Sequence, residues 1–204
     1  MCRSIKNYIF DLGKVLVHFD PMGMTTPYVQ DPAIARQICD VVFDRLYWDP
    51  LDSGDITDEE ILHCCHQRLP QHLHELADTV YRNWLFHLPF IEGMPQLVKD
   101  IKAAGGKLFL LSNVSIGFAQ QHPQVPAFRE LLSHFDGLVF SGPLGIVKPS
   151  AEIFQHLLNT YDLTAEETIF IDDNAANVAG AKAVNIDAYH FDGDVEKLRT
   201  SLGF

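Results

Sequence analysis

Long apolar runs are missing from this sequence: its hydrophobic residues, 47% of the total, arrive in pieces of a few residues, well short of the roughly 20 that a membrane span requires. The opening MCRSIKNYIF has no apolar stretch of the kind a secretory leader needs, so a cytoplasmic protein without a membrane partner is expected. Positive charge is scarce. With 15 Lys and Arg against 27 Asp and Glu, the formal net charge is -12, which excludes the dense basic face that a nucleic-acid backbone calls for. A small anionic substrate is still admissible if a metal ion or one well-placed lysine supplies local positive charge. Cysteine is sparse too: Cys2, Cys39, Cys64 and Cys65 lack paired-knuckle spacing and read as free thiols. In HCCHQ, His63 and His66 flank two of them, but a structural zinc site needs four converging ligands, so buried thiols beside surface histidines is the better account. Repeats and low-complexity tracts are absent, and 204 residues suit one core, alone or with a smaller insertion. The oligomeric state is not readable from these features.

What the sequence does contain is alternation. Five short apolar runs, NYIFDL, KLFLLSN, GLVFS, TIFIDD and DAYHF, are continuous rather than alternating, as strands buried on both faces are. Helical patterns separate the later ones. MPQLVKDIKAAGG stops on Gly105 and Gly106, and PSAEIFQHLLNTY places Ile153, Phe154, Leu157 and Leu158 on one stripe. Thr164 to Glu167, TAEE, fits a capping box. Strands alternating with helices predict an α/β fold with a Rossmann-like, doubly wound parallel sheet.

One stretch breaks the rhythm. From about His18 to Phe90 no strand-like run of comparable strength occurs; Asp31 and Pro32 open one helical pattern, and Thr57 with Glu60 forms a capping box for another. DPLDSGDI between them is a polar, turn-rich loop. The expected organisation is therefore a core of residues 1–17 and 91–204 with an all-helical cap inserted at 18–90.

In open parallel sheets, ligands bind beyond the carboxyl ends of the strands. The residues ending the apolar runs are thus the informative ones: Asp11, then Ser112 and Asn113, then Ser141 and Gly142, then Asp172 and Asp173, with Lys148 just ahead of a helix that begins near Ser150. Any one of these could be a turn or cap residue. Together, three acids, a hydroxyl and a lysine on one face would repel themselves unless a divalent cation balanced them. Carboxylates with backbone and water oxygens suit magnesium, which shares its shell readily with substrate phosphate.

YIFDLGKVL, LLSN, GIVKPSAEIF and FIDDNAANVAGA, in this order, resemble the four motifs of the haloacid dehalogenase superfamily, and they span nearly the whole core. The DLG form of the first motif, followed by VLVHFD and a helical cap with an SGDIT loop, looks like the branch that contains α-D-glucose-1-phosphate phosphatases. The resemblance implies a magnesium-dependent phosphatase of small phosphomonoesters, with a sugar phosphate as the suggested substrate, working through an aspartyl-phosphate intermediate. It implies Asp11 as nucleophile, Ser112 and the backbone amide of Asn113 as holders of a phosphoryl oxygen, and Lys148 as the phosphate-binding group that also restrains Asp11. Magnesium would be held by Asp11, the carbonyl of Gly13 and Asp173, with Asp172 acting through water or as a further ligand. Asn177 would orient Lys148 or the phosphate, or cap a helix.

Position 13 departs from that pattern. Most phosphatases of the superfamily carry there an aspartate that protonates the leaving alcohol and then activates water; here it is Gly13. A general acid and base typically contributes about 10²–10⁴-fold. A good leaving group, such as an anomeric sugar hydroxyl, needs it less, and His18 or Asp20 downstream are candidate substitutes whose bland role is a turn or hinge. A carbon-halogen hydrolase needs no such acid, but leaves Asp172 beside Asp173 as unexplained repulsion. A catalytically weak binding or regulatory protein is a third alternative, opposed by the intact Asp11, Ser112, Lys148 and Asp173. In the cap, Trp48 and Trp84 could stack on a sugar, though packing is their commoner role, and no cap residue is singled out. Lys14 is near enough in sequence to reach a phosphate, with a solvated role the expected one.

Overall fold

β1 (Asn7–Phe10) is the middle strand of a five-stranded, all-parallel sheet whose order is β3-β2-β1-β4-β5, with β2 at Lys107–Ser112, β3 at Gly137–Phe140, β4 at Thr168–Asp172 and β5 at Asp187–His190. This is a computed structural model and it describes residues 5–204; Cys2, one of the four expected free thiols, lies outside them. The predicted Rossmann-like α/β class is the observed one. Ile9, Phe109, Leu111 and Phe170 point to one face of the sheet, under α10 (Ala151–Thr160) and α11 (Ala175–Ala183). Phe10, Leu108, Leu110 and Ile171 point to the other, with α6 (Met94–Ala103), α7 (Ile116–Gln121), α8 (Pro126–Leu132) and α12 (Val195–Leu202). Adjacent residues thus bury opposite ways, which is why the strands read as unbroken apolar runs. The short α9 (Ser141–Leu144) follows β3 directly.

Between β1 and β2 the chain is helical: α1 (Pro21–Thr25), α2 (Pro32–Val42), α3 (Arg45–Asp52), α4 (Asp58–Arg68) and α5 (His74–Asn83). They close around a core of their own, built on Ile38, Val42, Trp48, Ile61, Ala77 and Val80. The chain enters and leaves this unit side by side, with the His18 amide donating to the Pro89 carbonyl at 2.8 Å and that of Ile91 to the Leu16 carbonyl at 2.9 Å. Trp84 packs against both this helical cluster and the core beneath it.

Local signals fare unevenly. Asp31 caps α2 with Pro32 in its first turn, and the Thr57–Glu60 capping box is complete. The TAEE box does not form: Thr164 precedes only a three-residue 3-10 turn and makes no side-chain cap bond, while its carbonyl accepts from the Glu167 amide at 3.1 Å and the Thr168 hydroxyl at 2.8 Å. Cys39, Cys64 and Cys65 are free thiols, while His66 pairs with Asp78 at 2.7 Å and His63 with Gln67 at 2.9 Å, so HCCHQ gathers no metal ligands. Among the described residues no helix is long and apolar enough to cross a membrane.

Candidate active site

Sheet register builds the site. Phe10 lies level with Leu110 and Ile171, so the next residue on each strand, Asp11, Leu111 and Asp172, emerges at one edge where the strand order reverses direction. Lys148 reaches this edge from the loop before α10. Its ammonium donates to Asp11 Oδ1 at 2.6 Å, Asp172 Oδ2 at 2.8 Å and the Leu111 carbonyl at 2.9 Å. Three protons meet three acceptors, which lets a lysine side chain only 1% exposed stay charged. Burial by itself would lower its pKa; the two carboxylates outweigh that and hold it above the usual lysine range. Asn113 locks the loop by accepting from the Lys148 amide at 2.9 Å and donating to the Lys148 carbonyl at 3.0 Å.

Asp172 is saturated. Besides Lys148 it accepts from the Asn174 amide at 2.7 Å and from Asn177 Nδ2 at 3.1 Å on both oxygens. Asn177 therefore touches Asp172 and not Lys148, and it is Asn174 that caps α11. Asp173 is different: it is half-buried, its carboxylate has no hydrogen-bond partner among the described residues, and burial followed by repulsion from Asp172 pushes its pKa up. Asp11 is raised to about 6, first by burial and against the pull of Lys148.

The three acids can each bring one oxygen within 4.8 Å of the others. One lysine against three carboxylates leaves two uncompensated negative charges, the balance one divalent cation supplies. Because Asp172 is spent on Lys148, Asn174 and Asn177, the oxygens left for a cation are those of Asp11 and Asp173, with Gly13 lining the same cavity.

That cavity, about 400 Å³, opens between sheet edge and helical insertion. Ser112, Asn113 and Asn177 line it along with Lys14, whose exposed side chain stands at the rim. Two expectations fail here. Ser141 is fully buried and is not part of the lining; it accepts from the Val114 amide at 2.9 Å and donates to the Asp52 carbonyl at 2.6 Å, stitching insertion to core. His18 and Asp20 line a separate surface cavity near His87, and Asp20 caps α1. On the insertion's side Trp48 and Trp84, weighed from the sequence as stacking surfaces, line the carboxylates' cavity, and Phe19, Phe43, Arg45, Asp49 and Asp52, which sequence reasoning missed, line it with them. Trp48 and Trp84 meet at 5.1 Å between ring centroids and Phe19 lies 5.5 Å from Trp48, so the tryptophans both pack and form a wall.

The sequence profile of the haloacid dehalogenase-like hydrolases matches residues 5–185. This chain belongs to that family. As a haloacid dehalogenase-like hydrolase it is 27% identical to the sesquiterpene phosphatase astK of Aspergillus oryzae, over 93% of this chain and 91% of that one. It is 24% identical to the D-ribitol-5-phosphate phosphatase of Bacteroides thetaiotaomicron, over 91% of each chain. The fold is shared with a family enzyme of Bacteroides thetaiotaomicron solved with magnesium and inorganic phosphate, at TM-score 0.72 and 19% identity, over 96% of this chain and 99% of that one. Membership of this hydrolase family makes the chain an enzyme of the hydrolase class, and the two curated relatives are phosphatases.

Proposed function

We propose that the protein is a magnesium-dependent phosphomonoesterase acting on small phosphorylated molecules through a phosphoryl group carried on Asp11. The observation that carries this is the Asp11–Lys148–Asp172 cluster beside an unpaired Asp173. A carboxylate ionised at neutral pH, restrained by a buried ammonium, is a ready nucleophile. Lys148 offsets the repulsion between Asp11 and an incoming dianion, Ser112 and the Asn113 amide hold a phosphoryl oxygen, and Asp172 acts through Lys148 as a positioning residue. Asp11, Asp173 and the Gly13 carbonyl are the groups that would hold magnesium, whose chemistry is to neutralise phosphoryl charge. The helical insertion, residues 18–90, acts as a cap that excludes water and contacts the leaving group.

For that leaving group, the sugar of a sugar phosphate is the reading that the DLG motif suggests, with Arg45 and Asp49 at hand for hydroxyls. The aromatic wall favours a second reading, the monophosphate of an apolar alcohol. Trp48 spends its only N–H on the Val42 carbonyl at 2.6 Å and offers the cavity ring surface alone. The similarity to a sesquiterpene phosphatase points the same way.

Phosphate release from p-nitrophenyl phosphate tests the proposal. Turnover that needs magnesium and disappears in Asp11→Asn supports it; turnover indifferent to chelation sinks it. Sugar phosphates set against isoprenoid monophosphates then decide between the two leaving groups.

A further inference from the structure

We propose that Asp52 is the general acid and base of this site, supplied by the cap in place of the side chain absent at position 13; the proposal rests on the phosphatase reading above. Asp52 is the last residue of α3 and lines the cavity into which Asp11 opens. Its position is fixed from the core. Its carbonyl accepts from the Ser141 hydroxyl at 2.6 Å, and Gly54 lies so close to the core that a Cβ there would sit 2.5 Å from the Gly142 carbonyl. That approach, at φ +77, admits only glycine and seats the end of α3 on the core beyond β3. The Asp52 carboxyl makes no hydrogen bond to a described residue, and the residue is part of the cavity wall and only partly buried.

Elimination points to the same residue. The ionisable groups lining the cavity are Asp11, Lys14, Arg45, Asp49, Asp52, Lys148 and Asp173. Lys148 is committed to its carboxylates; Asp11 and Asp173 belong to the nucleophile and cation side. Asp49 is 60% exposed and its carboxylate is bridged to Arg45 at 2.8 Å. No histidine lines the cavity. Asp52 is the acid left without an ion-pair partner or another role there, and it can hold a proton: burial pushes it up to about 8, Arg45 opposes the rise, Asp49 and Asp11 add to it, and Lys148 opposes it. A general acid must be protonated at working pH yet able to lose its proton, and a pKa near neutrality meets both needs.

The steps balance. Asp11 attacks phosphorus, the bond from phosphorus to the ester oxygen breaks, and that oxygen takes the Asp52 proton and leaves as the alcohol. Asp52, now a carboxylate, accepts a proton from the water that attacks the same phosphorus. The bond to Asp11 breaks, and phosphate, ionised Asp11 and protonated Asp52 remain. Nothing lies within 4 Å of where a Gly13 Cβ would be, so crowding does not explain the glycine, and an acid can be put back there.

Two esters of similar size separate this role from a structural one. p-Nitrophenolate leaves without a proton, whereas benzyl alkoxide does not. In Asp52→Asn, release of benzyl alcohol in a single turnover should fall by about 10²–10⁴-fold while single-turnover release of p-nitrophenolate changes little. Steady-state phosphate release should fall for both esters, because water attack on the Asp11 phosphoryl group has lost its base. Adding Gly13→Asp to that variant should restore benzyl phosphate turnover by about tenfold or more. Equal losses of single-turnover alcohol release on both esters, in Asp52→Asn and again in Asp52→Ala, or no loss on benzyl phosphate, would overturn the proposal and leave the phosphatase reading standing. A wild-type enzyme that releases no phosphate from p-nitrophenyl phosphate with magnesium would overturn both.

Discussion

On the sheet side of the cavity the central groups are fully committed: Lys148 donates three hydrogen bonds and Asp172 receives four. On the helical side the reverse holds. The Asp52 carboxyl bonds to no described residue, and Trp48 has turned its one polar side-chain atom inward to Val42. The difference tracks what each wall is asked to do. Charge must be preorganised where phosphorus is attacked, because a mobile ammonium or carboxylate would have to be reoriented at the moment of reaction. Near the leaving group, a carboxyl left without partners keeps its proton, and aromatic faces accept an organic group without fixing its orientation.

Substitutions on the two walls should therefore differ in kind, and the largest effects belong to the sheet side. Asp11→Asn removes the nucleophile while keeping shape, and phosphate release from either ester should drop to background in a fold that melts near the wild-type temperature. Lys148→Met leaves two buried carboxylates facing each other. It should abolish turnover and also cost about 3–5 kcal/mol of stability, roughly 10 °C in the thermal midpoint measured without added magnesium. Were Lys148→Met as stable as wild type, the committed wall would be no more preorganised than the free one.

Asp52→Asn should do the opposite and stabilise. Its folded pKa, about 8, lies above its unfolded value, so the folded state binds the extra proton and loses stability as pH rises from the unfolded pKa to the folded one. Replacing it removes that loss. Midpoints of the variant and wild type should be closest at or below about pH 4 and separate towards pH 8, where the variant gains on the order of a few kcal/mol. A gap that fails to widen with pH would mean that Asp52 is ionised like any surface acid. The smallest effect belongs to the seam between the walls. Ser141→Ala unpairs the Asp52 carbonyl and the Val114 amide, which should cost about 1 kcal/mol and slow benzyl phosphate more than p-nitrophenyl phosphate.

The two walls were also unequally legible. Asp11, Ser112, Asp172 and Asp173 could be gathered from sequence because parallel strands deliver their ends to one edge and the apolar runs mark where each strand stops, and Lys148 because it stands just ahead of a helix in a motif of the family. Ser141 obeys the same rule and yet turns out of the cavity, since α9 begins on it and points its hydroxyl at the cap. Asp52 was invisible for a related reason. DPLDSGDI reads as a polar loop, and only the docking of α3 on the core, with Gly54 against Gly142, turns its last acid towards Asp11. His18 and Asp20 looked close in sequence, but the chain carries them to a different surface as it leaves for the cap. Periodicity registers which face of an element is buried; it carries no information about which residue of one unit faces another.

The central claim is that phosphorus is transferred to Asp11. Wild-type enzyme turning over radiolabelled p-nitrophenyl phosphate with magnesium, quenched in acid and digested, should carry label on the peptide containing Asp11, with none in Asp11→Asn or after chelation. Turnover that proceeds at full rate with no label on the protein, or with label on another residue, would contradict the account.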